Sequence, residues 1–240
     1  MAQHILRKDL KKDAIRETFV HGVESVASHP EAAWIVVGAV LVVALAVFGW
    51  STYSRRQTAK ASAAFNSAME VFEARIRAPG EAAEPNEITY VDEKNKFADA
   101  ERKFLDVATQ YGRTQPGQRA RYYAALSEEQ LQRFDDAEKN LKIVDSSGDE
   151  SLAGLARFQL AMVYDQEGKG PQAVELFKQL ADKPTIFVPK GLVLLTLADH
   201  YSKTDPAQAS KLYNQIKQDF PDTPAAQQAD QGLELLNSKT

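Results

Sequence analysis

Residues able to carry acid–base, nucleophilic, metal or phosphate chemistry are sparse in this chain and do not converge. The four histidines are His4, His21, His29 and His200. Three precede a long uncharged stretch and the fourth lies far beyond it, whereas general acid/base work needs groups within hydrogen-bond reach of one proton. Cysteine is absent, which excludes disulfides, thiolate catalysis, Cys-ligated metal and an N-terminal lipidated Cys, and leaves the compartment open. The fragment EGKGPQ has two glycines but lacks the spacing and the Lys-Ser/Thr ending of a phosphate loop, and a joint between two helices accounts for it. The carboxylate pairs Glu128-Glu129 and Asp135-Asp136 belong at helix surfaces and helix starts, where solvation and the N-terminal dipole favour them. No enzyme, cofactor or metal site is expected. A net charge of −4 without a run of Lys and Arg interleaved with aromatics also argues against nucleic acid as a partner.

The remaining information is architectural. Ala32 to Trp50, AAWIVVGAVLVVALAVFGW, contains no charged residue, His, Asn or Gln, and about twenty helical residues cross the ~30 Å hydrocarbon core of a bilayer. Trp34, Trp50 and Tyr53 stand near its ends, where aromatic side chains favour the interface. The A-x-A pattern at Ala44 and Ala46 falls inside the run, and thirty-one residues precede it, so a retained signal-anchor is expected over 32–53 rather than a cleaved leader. The preceding segment, 1–31, reads as an amphipathic helix with Ile15, Phe19, Val23 and Val26 on one stripe. Its Arg7, Lys8, Lys11, Lys12 and Arg16 suit an anionic lipid surface, or a solvated face, since Asp9, Asp13 and Glu17 are mixed with them. Charge leaves orientation open: five basic residues on the N-terminal side face Arg55, Arg56 and Lys60 on the other.

Beyond the span, a small residue followed at plus four and plus seven by apolar ones recurs four times. The sets are Ala100, Phe104, Val107; Ala137, Leu141, Val144; Ala173, Phe177, Leu180; and Ala209, Tyr213, Ile216. The alanines are 37, 36 and 36 residues apart, and spacings of four and three place each set on one helix face. Upstream helices carry their own markers at Ala125, at Ala161 with Tyr164, and at Ala198 with Tyr201, so each repeat reads as a helix pair. LAMVYDQEGKGPQAVELF resembles the tetratricopeptide repeat at Ala161, Tyr164, Gly168, Ala173 and Phe177. The second repeat departs from the pattern with Glu128 at the aromatic position, and the turn at Asp205-Pro206 is one residue shorter than its counterpart. The fold class expected is therefore all-α: one transmembrane helix, then a divergent tetratricopeptide-like α-solenoid. A first helix is expected over Ala61 to Arg77, a loop of about fifteen residues up to Asp92 within the segment 54–92, repeats over 93–240, polar turns at 111–118 and 146–150, and a capping helix from Pro224 to Leu236.

In tetratricopeptide arrays the concave face comes mainly from the first helices. Carried over residue by residue, the resemblance selects Tyr122 and Leu126, Phe158 and Met162, and Leu195 with Asp199. Five of these six are apolar, as befits protein binding; a core role competes, most strongly at Leu195, because the last helix can fold over part of this face. One span, a small-residue helix and a divergent array, with GWSTYSRRQTAKASAAFNSA at the membrane exit, resemble the YfgM family of bacterial inner-membrane proteins. That resemblance implies a cytoplasmic N-terminus, a periplasmic repeat domain, and work as an ancillary subunit of the Sec translocon. The partners it implies are translocon subunits, periplasmic folding factors or secreted clients. The ending DFPDTPAAQQAD also resembles tetratricopeptide proteins of outer-membrane assembly and cell division, which implies an envelope-assembly scaffold instead.

Overall fold

Apolar residues at helical spacing, polar capping residues and turn glycines together specify an all-helical chain. The computed structural model, which describes residues 30–238 apart from 83 and 86, is built that way. Its elements are α1 (Pro30–Phe72), β1 (Arg75–Ile76), β2 (Thr89–Tyr90), α2 (Glu93–Tyr111), α3 (Gln115–Gln130), α4 (Phe134–Asp145), α5 (Glu150–Gln166), α6 (Gly170–Asp182), α7 (Lys190–Thr204), α8 (Pro206–Asp219) and α9 (Pro224–Asn237). The expected amphipathic helix and its basic cluster lie outside the described residues.

The chain divides between Arg56 and Gln57 into two compact units. In the first, α1 starts at Pro30, whose fixed φ suits the opening helical position. This helix is long and apolar enough to cross a membrane, and none of the residues in its most apolar stretch is buried against the rest of the chain. Large side chains such as Trp34 and Phe48 are more than 70% exposed, a condition that water penalises and lipid does not.

In the second unit the end of α1 pairs with α2, burying Ala68 and Val71 against Ala100 and Phe104. The pairs α3–α4, α5–α6 and α7–α8 follow in order, each helix packing on the next, and α9 covers α7 and α8. The repeat markers supply the core: Ala100, Phe104, Ala137, Leu141, Ala173, Phe177, Ala209 and Ile216 are fully buried. Caps fix the starts. Asp92, Thr114, Asp149, Asp205 and Thr223 each accept a backbone N–H of the helix they precede.

Four local expectations are corrected. The first helix ends at Phe72, not Arg77, and Arg75–Ile76 pairs in parallel with Thr89–Tyr90, closing the long loop. Beyond Phe72 the chain turns extended to make this pairing, and Arg75 is held by Glu81 at 2.7 Å and Glu87 at 3.4 Å. The turn expected over 111–118 is short, because Thr114 caps α3 and Pro116 and Gly117 lie in its first turn. Asp205 alone separates α7 from α8, whereas three residues join α5 to α6, because its carboxylate caps α8 directly.

The helical core is interrupted once. One apolar cluster is built from α1, α2 and the start of α3, a second from Ala125 onward. Glu101, Ser127, Glu128 and Asn140 are the buried polar or charged residues among those described, and they occupy the helices that meet there. Asn140 Nδ2 donates to both oxygens of Glu128, at 2.8 and 2.9 Å, and Asn140 Oδ1 accepts from Arg121 at 2.9 Å. Glu128 therefore fills, with a carboxylate, the place that Tyr164 holds one repeat later. Burial pushes its pKa up to about 7; the like charges of Glu101 and Asp136 push the same way, against the Asn140 bond and Arg133.

Candidate functional site

The residues of interest are carried by the first helices. Along α3, Gln115, Arg119, Tyr122 and Leu126 follow at spacings of four and three, and along α5 Ser151, Leu155, Phe158 and Met162 do the same. Between them runs a groove of about 510 Å³, bounded by Phe65 of α1, Tyr122 and Tyr123 of α3, Leu152 and Leu155 of α5, and Phe187 of the α6–α7 loop. Burial is the main cause that pushes the Tyr122 phenol up to about 12, as expected of a hydroxyl on an apolar wall. The Tyr122 and Tyr123 rings meet edge to face with centroids 5.7 Å apart, and Tyr123 joins Phe65, Phe72 and Phe104 in one aromatic cluster. Those contacts fix one wall of the groove.

The opposite wall is a turn that the sequence disguises. Thr185 N–H donates to the Val188 carbonyl, and Val188 N–H donates back to Thr185 Oγ1, both at 3.1 Å, so residues 185–188 close on themselves. Val188 is fully buried. Ile186 and Phe187, the two residues at the tip, are 84% and 59% exposed. Turn tips are normally Gly, Asn, Asp or Ser; here the tip holds two large apolar side chains. The turn rests on α5 at Gly154, where a Cβ would stand 2.9 Å from Thr185 Cγ2.

Of the residues selected from sequence, Tyr122 lines the groove, and Leu126, Phe158 and Met162 are half-buried on the helices that border it. Phe158 packs edge to face on the core ring of Phe177, centroids 5.9 Å apart. Leu195 is a correction: it is buried at the α7–α9 contact and joins the core, because α9 closes over it. Asp199 accepts the Tyr213 hydroxyl at 2.6 Å, which secures α7 to α8. Phe65, Tyr123, Leu155 and the Ile186–Phe187 tip were not selected from sequence. The one signal for the tip was an apolar pair inside a Pro-bounded turn.

A second pattern links successive repeats. Arg133 and Lys169 stand 36 residues apart at the starts of α4 and α6, where no side chain caps the helix and the dipole disfavours a cation. Each reaches back to an acid of the preceding repeat, Arg133 to Glu101 at 2.7 Å and Lys169 to Glu138 at 3.5 Å. Glu138 also accepts the Tyr164 hydroxyl at 3.1 Å, and Lys142 at 2.6 Å holds its carboxyl below the usual range. Among the described residues, no group of His, Asp and Glu gathers in an arrangement able to hold a metal ion.

Stacked antiparallel helix pairs of this period, with small residues at the crossings and a groove on the first-helix face, define an α-solenoid of the interaction-module class. Residues 30–187 match the tetratricopeptide repeat-like domain, and the chain belongs to that family. No curated protein and no solved structure matches it. The match begins at the first residue of α1 and ends at the exposed tip, and α7–α9 continue the same packing beyond it.

Proposed function

We propose that the protein is a non-enzymatic protein-interaction module tethered to a membrane by the apolar part of α1. The half-buried apolar residues of the first helices, beside the groove, form its contact surface. The observation that carries this reading is that surface itself: Tyr122, Leu126, Leu155, Phe158 and Met162 leave apolar area open on the face that solenoids use for partners. Tetratricopeptide repeat-like domains typically bind proteins, and the family match begins at residue 30, so the apolar run is part of the matched domain.

The finer assignment is an ancillary factor of the Sec translocon in a bacterial inner membrane. The N-terminus is cytoplasmic and the repeats are periplasmic, receiving secreted chains or folding factors. It is supported by the resemblance at Gly49 to Ala68 and by the tendency of long C-terminal domains to translocate regardless of flanking charge. A C-terminal reporter fusion reads the topology directly; a cytoplasmic reporter would refute the envelope role. Photo-crosslinkers at Phe158 and Met162 should capture translocon subunits, folding factors or secreted chains, and recovery of envelope-assembly components alone would favour the scaffold function instead. Phe158→Ser with Met162→Ser should weaken that capture with helix content unchanged; loss of helix content would assign both side chains to the core.

A further inference from the structure

We infer that the Ile186–Phe187 turn is a second membrane contact: its two apolar side chains enter the lipid surface, and Lys183 and Lys190 on either side meet the headgroups. This rests on the reading of α1 as a membrane tether and goes beyond it by giving the repeat unit a lipid-binding element of its own.

The turn has the composition that a bilayer surface selects. Ile186 is 84% exposed and Phe187 59%, a condition that water penalises and the outer acyl region relieves. Leu192 in the first turn of α7 and half-buried Phe220 extend the apolar area along a cleft of about 380 Å³. Lys183 lies three residues before Ile186 and Lys190 three residues after Phe187. Long cationic side chains at such places lay their stems along apolar surface and keep the ammonium among the headgroups. Asp149, Asp182 and Asp222 stand at the same end of the unit and offset that charge, so apolar insertion supplies the attraction and the lysines orient it.

The backbone also fits lipid better than a protein partner. A segment that enters lipid must satisfy its N–H groups internally. Over 184–189, Pro184 and Pro189 carry no N–H, and Thr185 and Val188 each donate within the turn at 3.1 Å. Among the described residues, that leaves the turn only the N–H groups of Ile186 and Phe187 for interfacial water. A protein interface would draw on free backbone donors, which this turn withholds.

Helix direction puts the tip at the right end of the unit. Phe65 meets Phe104 and Phe72 meets Phe97, so α2 runs antiparallel to the end of α1. Short turns reverse each following helix, and α3, α5 and α7 therefore start at the end where the unit begins with Gln57. Phe187 accordingly lines one groove with Gln115 and Asp149, at the starts of α3 and α5. Seven residues separate Trp50 from Gln57. Even fully extended they reach about 25 Å, so the chain keeps this end close to the bilayer.

The test uses the full chain reconstituted in vesicles of phosphatidylcholine and phosphatidylglycerol. Because cysteine is absent, Pro184→Cys gives a single attachment point for a fluorescent dye beside an intact tip, and Gln132→Cys gives a control in the α3–α4 turn at the opposite end. Lipids with a nitroxide on the upper acyl chain should quench the dye at 184 and leave the dye at 132 bright. Ile186→Ser with Phe187→Ser should lower quenching at 184 by about two-fold or more, with the far-UV spectrum unchanged. Equal quenching at the two positions, no quenching at 184, or quenching that the double serine variant leaves intact would overturn the proposal. So would a photo-crosslinker at Ile186 that captures protein and no lipid in cell membranes. Vesicle flotation separates this contact from the tether: protein that floats with an unquenched dye at 184 refutes the tip contact alone, whereas protein that does not float refutes both.

Discussion

Glu128 makes the stability of the repeat unit depend on pH in an interval where few other groups act. Its carboxyl titrates at about 7 in the folded chain and near its ordinary 4.5 when unfolded, so the folded state holds the proton more tightly. Stability from this group is fully present below pH 4.5, falls as pH rises towards 7, and levels off above it. At about 1.4 kcal/mol per pH unit, the interval corresponds to roughly 3–4 kcal/mol. Carboxyls held low by their partners, such as Asp136 beside Arg133 and Glu138 beside Lys142, have the opposite sign and lose stability only as pH falls below the ordinary carboxylate range. They leave the interval from 5 to 8 to Glu128. Glu128→Gln keeps a group that can accept from Asn140 and removes the titration. Urea unfolding of the full chain, followed by far-UV circular dichroism, should show the variant within about 1 kcal/mol of the parent at pH 5 and roughly 3–4 kcal/mol more stable at pH 8. Parallel pH profiles for the two proteins would refute the reasoning, because they would mean that Glu128 is equally easy to ionise in both states.

Three further perturbations probe individual contacts. A Cβ at Gly232 would fall 2.5 Å from the Tyr213 ring, so Gly232→Ala should displace α9, lower stability by about 1–3 kcal/mol in chemical denaturation, and open Leu195 to hydrogen exchange around it. Gly154→Ala should disturb the Thr185 turn and lower thermal stability, and adding Thr185→Ser, which removes the clashing Cγ2, should recover most of the loss in a double-mutant cycle. Gln132 occupies a left-handed backbone conformation, φ 59°, where Gly168 stands 36 residues later at φ 75°. Gln132→Gly should therefore raise stability by up to about 1 kcal/mol, measured as an upward shift in the urea midpoint.

Much of the fold was legible because its determinants are local. The four alanine-led stripes state which faces are buried, and Gly168 marks a turn that needs positive φ. The same logic placed a last helix from Pro224 to Leu236, to which the structure adds Thr223 as the cap. Less was legible at the groove. Tyr122, Phe158 and Met162 were reached through the repeat register, but Leu195 obeys the same register and is covered, since register does not encode where a later helix lies. Phe65 and Phe187 border one cavity although they are distant in sequence, and no periodicity relates them.

The sequence by itself determined the apolar run, the helix-pair repeat and the absence of cysteine chemistry, because composition and period act through the nearest few residues. Only the tertiary structure decided what Glu128 does. In the sequence it is a departure from an aromatic position; in the fold it is a buried carboxylate held by Asn140 between two apolar clusters. The same holds for Ile186 and Phe187, an apolar pair without periodicity in the sequence that stands exposed on a turn whose Thr185 is seated on Gly154. Desolvation and close packing depend on which distant segments meet, and that information exists only when the chain is folded.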